Sequence, residues 1–303
     1  MPKELTHWII AERACKELSR DSRLYGVIDH YKKEFLAGAV LPDTLLHLFS
    51  GPDAKSALSA AGRFHNADGN SYDSLIRAES EHVQPFSDPM LSCLLGVISH
   101  MQADMAFHPY IFALTGIDNI GRHYQLETNI DMYLTSKCLQ PPVNKLYDLV
   151  TAETEQTIVS AAEILFSTAS ELPRTAISKA LKLHCRFQSM YSKTFWKLVV
   201  NLLGAFLGKP YSQQRHLFYP MELFGKKDFN QMTETVQWEH PVTGEVKKTK
   251  IDDLVEDAVN GTVEVFRRIE VDKSLVAALV DPPGCNLLTG MYAVNSNKMF
   301  KTK

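Results

Sequence analysis

Residues 100–108 read HMQADMAFH, and the fold follows from this stretch. His100, Asp104 and His108 recur at i, i+4 and i+8. In an α-helix each such step turns about 40° and rises about 6 Å, so the three side chains share one stripe about 12 Å long. With ligand bonds of about 2 Å, that stripe is too long for a single metal ion and suits two bound along it. A lone His-x-x-x-Asp pair is ordinarily a surface salt bridge. The next helical segment, RHYQLETNIDMYLTSK (122–137), repeats the device with His123 and Glu127 at i and i+4. Histidine with carboxylate is the ligand set of catalytic zinc and leaves positions open for water. Magnesium and calcium prefer oxygen cages.

Outward from this stretch the pattern stays helical. Ser87-Asp88-Pro89 opens the helix, with Ser87 as its cap, and Pro109 predicts a stop or kink after His108. Asp118 or Asn119 caps the following helix. Upstream, Thr6 reads as the cap of a first helix reaching about Leu18, and a second runs from about Leu24 to Leu36. Pro42 biases Leu41 away from α geometry, which puts Asp43 in or just after a turn. RFHNADGNSYDS (63–74) reads as a polar loop; Asp68, Asn70 and Asp73 lack the spacing and terminal Glu of a calcium loop. Amphipathic stretches follow at about 145–167 and 174–207. VQWEHPVTGEVKKT (236–249) predicts a β-hairpin with a Thr-Gly turn, its basic end at Lys247, Lys248 and Lys250 solvated. A last helix over about 251–269 precedes an irregular tail. The expected fold is therefore all-α with one small hairpin near the C-terminus. A single domain over 1–303 is expected, with a metal-ligand half (1–135) and a helical wall with the hairpin (136–303).

The 303 residues are 45% apolar and 22% charged with a net charge of −3, ordinary for a globular chain and without the basic balance of a nucleic-acid binder. Five cysteines, an odd number with no C-x-x-C, leave metal binding to histidine and carboxylate. The first residues, MPKELTHWIIAERACKEL, lack the apolar core of a signal peptide, so a cytoplasmic location is expected. The apolar run from Leu198 to Gly208 is too short to span a bilayer and reads as a core helix; no transmembrane segment is expected. Of the eleven histidines, His30, His47, His82, His184, His216 and His240 stand isolated and read as surface or satisfied core side chains.

In THWIIAERA (His7), LPDTL (Asp43), RFHN (His65), HMQADMAFH and HYQLE (His123, Glu127), order, ligand types and contexts resemble the zinc-dependent phospholipase C and single-strand nuclease superfamily. The resemblance covers about the first 135 residues. The four-residue gap from Asp104 to His108 is more similar to the catalytic domain of glycosylphosphatidylinositol-specific phospholipase D than to the secreted bacterial phospholipases C. It implies two or three zinc ions: one on Asp43, His65, His100 and Asp104, a second on His108, His123 and Glu127, and a third on His7 and Asp104. In the family the third ion also uses a free N-terminus, here the amine of Pro2 once Met1 is removed. The resemblance further implies that Asp43 steers or deprotonates an attacking water made acidic by zinc. Phe64, Tyr72, Phe107 and Tyr110 flank the ligands in sequence and are candidates for a substrate pocket.

The expected function is hydrolysis of a phosphate ester, most simply a phosphodiester, in a small molecule or a phospholipid. A nuclease is the alternative hydrolase, disfavoured by the lack of a basic stripe with interleaved aromatics. A non-catalytic helical module stapled by metal is the alternative of another class. Oligomeric state is not legible.

Overall fold

A computed structural model describes residues 3–81, 84–137, 139–166, 172–209, 211–219 and 232–300. In chain order the helices are α1 (Glu4–Lys16), α2 (Arg23–His30), α3 (Lys32–Gly38), α4 (Ala54–His65), α5 (Asp73–Glu81), α6 (Asp88–Thr115), α7 (Ile120–Ser136), α8 (Glu155–Phe166), α9 (Arg174–Gln188), α10 (Thr194–Leu207), α11 (Tyr211–Gln214), α12 (Ile251–Asp272) and α13 (Leu275–Val280), with a 3-10 turn over Leu41–His47. The one sheet among the described residues is the antiparallel hairpin β1 (Val236–Glu239) and β2 (Val246–Thr249), paired Val236 to Thr249. Its turn contains Gly244 at φ +71, a conformation that glycine adopts without a Cβ penalty. The fold is thus all-α with a late hairpin, as the sequence predicts.

The organising element is α6. By length and composition it could cross a membrane, but 78% of its most apolar window is buried by the other helices. It contributes to both buried apolar clusters, one reaching α3, α8 and α9 and the other reaching α7, α12 and Trp238. Its crossing with α3 is made by two glycines. A Cβ on Gly38 would lie 2.0 Å from the Cys93 carbonyl oxygen, and one on Gly96 would lie 2.0 Å from that of Phe35. Backbone therefore touches backbone, which brings the α3 terminus within reach of His100.

Several boundaries differ from the sequence reading. The first helix begins at Glu4, because the Thr6 N–H and hydroxyl both donate to Asp131 of α7, at 2.9 and 2.5 Å. Thr6 is a tether between two ligand-bearing helices and not a cap. The second helix divides at Tyr31. His65 ends α4 instead of lying in a loop. Helix α6 also passes through Pro109 to Thr115. Proline at 109 forfeits the bond to the Met105 carbonyl, and Gly290 of the C-terminal tail packs over this point, where a Cβ would stand 2.9 Å from the Met105 oxygen. Helix α10 is the largest departure: it is no core helix, since none of its residues is buried.

The glycine crossing yields a test. Gly96→Ala should lower stability by about 2 kcal/mol or more, because backbone must move to admit the methyl. Gly62→Ala, where a Cβ meets nothing within 4 Å, should be neutral or raise stability by about 0.5–1 kcal/mol. Urea unfolding midpoints of the two variants would decide; equal values would refute the close crossing.

Candidate metal centre

The helical stripe is formed as its spacing requires. His100, Asp104 and His108 project from α6 and are buried to 1% exposure or less. Asp43 comes to them from the 3-10 turn, started by Pro42, and His65 from the last turn of α4. Four atoms then face one another. His65 Nε2 stands 3.3 Å from Asp43 Oδ1 and 3.6 Å from Asp104 Oδ2; His100 Nε2 stands 3.9 and 3.2 Å from the same two oxygens. Ligands at about 2.0–2.1 Å around a tetrahedral ion are about 3.4 Å apart. None of the four has a hydrogen-bond partner, although all are buried. Such orphaned atoms are rare and costly in a folded protein unless something unseen bonds them.

The other ring nitrogens are engaged. His65 Nδ1 donates to the Ala61 carbonyl (2.8 Å), His100 Nδ1 to that of Ala39 (3.0 Å) and His108 Nδ1 to that of Leu287 (2.7 Å). Each bond fixes the tautomer with its lone pair on Nε2, the arrangement of a metal-bound imidazole. The second carboxylate oxygen of Asp104, Oδ1, is also unpartnered and lies 3.7 Å from His7 Nε2. The His7 ring stacks on that of His100 at 4.1 Å. His108, His123 and Glu127 form a further group whose ligand atoms lie within 4.8 Å of one another. Phe112 packs against both of its imidazoles.

Electrostatics agree with a cation-binding role. Burial raises the carboxyl of Asp43, but His100 and His65 outweigh it and hold it near about 2. Burial likewise raises Asp104, and His100 and His108 draw it well below the usual range. His7 and His108 are pushed down to about 3, mainly by burial, and His123 falls well below its ordinary value for the same reason. Burial also disfavours a charged His100, but Asp104 and Asp43 raise it on balance, so the carboxylates demand positive charge at this point. Ionised carboxylates among largely neutral imidazoles are the protonation states that metal binding requires. The residues present fit zinc.

A cleft of about 220 Å³ opens onto the centre at Asp43 and Glu127. Its walls come from residues that the sequence reading did not nominate: Leu46, Phe49, Tyr124, Phe187, Met190, Tyr191, Val200 and Phe218. The four aromatics nominated there are not in it. Phe64 packs edge-on against His65 and Phe166, Tyr72 accepts a hydrogen bond from Gln102 in the core, Phe107 is fully buried, and Tyr110 meets Trp238 edge-on. They serve packing. Phe107 and Tyr110 are one and two residues from His108, so on a helix they leave on other faces. Two histidines read as isolated are also corrected: His47 and His184 stack at 4.0 Å beside Glu4. His240 does accept backbone N–H bonds from Val242 and Thr243, as a satisfied histidine should. Pro2 and His82 lie outside the described residues.

No curated protein and no solved structure matches this chain. The family model described as zinc dependent phospholipase C matches residues 6–182, a span holding His7, Asp43, His65, His100, Asp104, His108, His123 and Glu127. With more than half of its length matched and an all-α fold around a histidine and carboxylate centre, the chain belongs to the zinc-dependent phospholipase C family of hydrolases.

Proposed function

We propose that this protein hydrolyses a phosphodiester bond of a phospholipid at a zinc centre. The observation carrying this reading is the unpartnered cage of Asp43, His65, His100 and Asp104, reached from an apolar cleft through Asp43. Asp43, His65, His100 and Asp104 would hold one ion, and His108, His123 and Glu127 a second. His7 and the remaining Asp104 oxygen would hold a third, completed by the amine of Pro2. When bound, zinc supplies a Lewis acid that neutralises phosphate charge and makes hydroxide available near neutral pH.

The chain's own residues do the rest. Asp43 is ionised at neutral pH and only partly buried. It can therefore accept a hydrogen bond from an attacking water and orient it. Asp104 spans two sets of histidines, so its two oxygens set the spacing between them. The cleft walls exclude bulk water and offer an apolar surface to a glyceryl or acyl portion. A nucleic-acid strand would require cations along its path. Among the described residues the cleft has one, Lys3, whose ammonium donates to the Leu217 carbonyl and lies over the rings of Tyr191 and Tyr219.

Helix α10 supports a substrate presented at a lipid surface. Phe195, Leu198, Leu202 and Phe206 form a stripe at helical spacing and are 59–79% exposed. Lys193 and Lys209 flank the helix at the two ends, and Val200 on another face lines the cleft. An amphipathic helix of this kind lies in a membrane interface with its apolar face inserted. The stripe would set the cleft mouth against the bilayer.

Two outcomes are expected. Asp104→Asn should lose more zinc than Glu127→Gln by elemental analysis, and Asp43→Asn should cut turnover of a small chromogenic phosphodiester by about 100-fold or more while helicity by circular dichroism is retained. Wild-type protein purified without zinc at full stability would sink the reading. For α10, the double change Leu202→Ser, Phe206→Ser should lower hydrolysis of phospholipid vesicles by about tenfold or more, each buried side chain being worth about 1.5–3 kcal/mol. Turnover of a monomeric short-chain phosphodiester should be unaltered. Equal losses on both substrates would refute the interfacial role.

A further inference from the structure

Glu4, His47 and His184 come from three separate elements: α1, the 3-10 turn and α9. Their ligand atoms lie within 4.8 Å of one another, as do those of His108, His123 and Glu127. His184 is fully buried and Glu4 is 8% exposed. Glu4 Oε1 approaches His184 Nε2 only to 3.5 Å, and neither His184 Nε2 nor Glu4 Oε2 has a hydrogen-bond partner. A buried ion pair that earned its place would close to about 2.8 Å and satisfy its remaining lone pairs. This one does neither.

The outer nitrogens are again engaged. His184 Nδ1 pairs with the Thr44 hydroxyl at 3.2 Å, and His47 Nδ1 donates to the Asp43 carbonyl at 3.2 Å. The carbonyl bond leaves the His47 lone pair on Nε2, as at His65 and His100, and the Thr44 hydroxyl, able to accept from Nδ1, permits the same tautomer at His184. Two imidazoles and one carboxylate are a complete three-ligand set for a zinc-class ion with a fourth position open. Glu4 and His47 both line the cleft, so an ion held by them would border that space.

We infer that Glu4, His47 and His184 form an additional binding site for a divalent transition-metal ion of the zinc class, separate from the centre around Asp104. Asp43 links the two: its carboxylate faces His65 and His100, while its peptide oxygen orients His47. An ion at this site would offer a coordination position on the cleft wall to an anionic or carbonyl oxygen of whatever enters. The inference does not depend on which ester is cleaved.

The full-length protein loaded with zinc is the test material. Anomalous difference maps at the zinc edge should contain a peak bounded by Glu4, His47 and His184. Glu4→Gln and His47→Gln should each bind one zinc fewer than wild type by elemental analysis, with helicity kept. His47 is only partly buried, so its replacement serves even where His184→Gln fails to fold. Unchanged zinc content in both variants, or a map without that peak while the Asp104 centre is filled, would overturn the inference. Phosphodiester turnover separates the two readings: loss of one zinc in a protein that hydrolyses no phosphodiester refutes the proposed activity alone, and unchanged zinc content in an active enzyme refutes this site alone.

Discussion

Burial of the Asp104 carboxylate governs this architecture. An ionised carboxylate with no access to water costs many kcal/mol unless opposite charge and hydrogen bonds compensate it. Asp104 is wholly buried at the middle of the long core helix, and neither of its oxygens is hydrogen-bonded. Imidazoles surround it on three sides, His100 and His108 on its own helix, His65 from α4 and His7 from α1, and with the Nε2 lone pairs of His65 and His100 turned toward it the compensation is left to a cation held among them. Three of them, His100, His65 and His108, are in turn held by the backbone carbonyls of Ala39, Ala61 and Leu287. The glycine crossing of α3 on α6 and the Thr6 tether to Asp131 exist in the same service, since they put these elements at the required distance. A charge that cannot be solvated has to be met by structure, and here much of the structure meets it.

That explains which parts of the centre could be read in advance. His100, Asp104 and His108, and likewise His123 and Glu127, lie on single helices, so a 3.6-residue period is enough to bring them together. His7, Asp43 and His65 lie on different elements, and their role came from a family resemblance, not from spacing. Glu4, His47 and His184 were missed. They are 43 and 137 residues apart in sequence, and nothing local connects them; only the packing of the 3-10 turn on α9 does. Carbonyl partners are more obscure still, because every residue has one and only the fold selects Leu287.

Helix α10 illustrates a different limit. Its apolar run was legible, but apolarity alone does not say whether a helix faces a protein core or another apolar phase. The decision is tertiary: α10 packs on α11 and the segment just before Phe218, which leaves it at the cleft rim with its stripe outward. Nominating Phe107 and Tyr110 failed for the converse reason. Chain neighbours of a helical ligand turn about 100° per residue away from it, so which of them reaches the cleft depends on where the cleft opens: Tyr124, next to His123, lines it, and Phe107 and Tyr110, near His108, do not. The wall is continued by Phe49 just after the 3-10 turn, Phe187 of α9 and Val200 of α10.

The division between ligands and walls also follows the chain. The family match ends at residue 182, and every ligand of the centre around Asp104 precedes that point. About half of the cleft wall follows it, in Phe187, Met190, Tyr191, Val200, Leu217 and Phe218. The later residues nonetheless reach back into the ligand half. Leu287 orients His108, and the Asn286 amide bonds Asn66 and Ala67 directly after His65. A substitution at Asn286 would thus disturb the setting of His65, while one at Phe187 would reshape the cleft beside His47 and leave the residues around Asp104 in place. On the proposed reading, the earlier stretch carries the chemistry, and the cleft wall beyond residue 182 carries a separate part of the choice of ester. The second can therefore vary without cost to the first, provided the tail that holds His108 and the His65 loop stays in place.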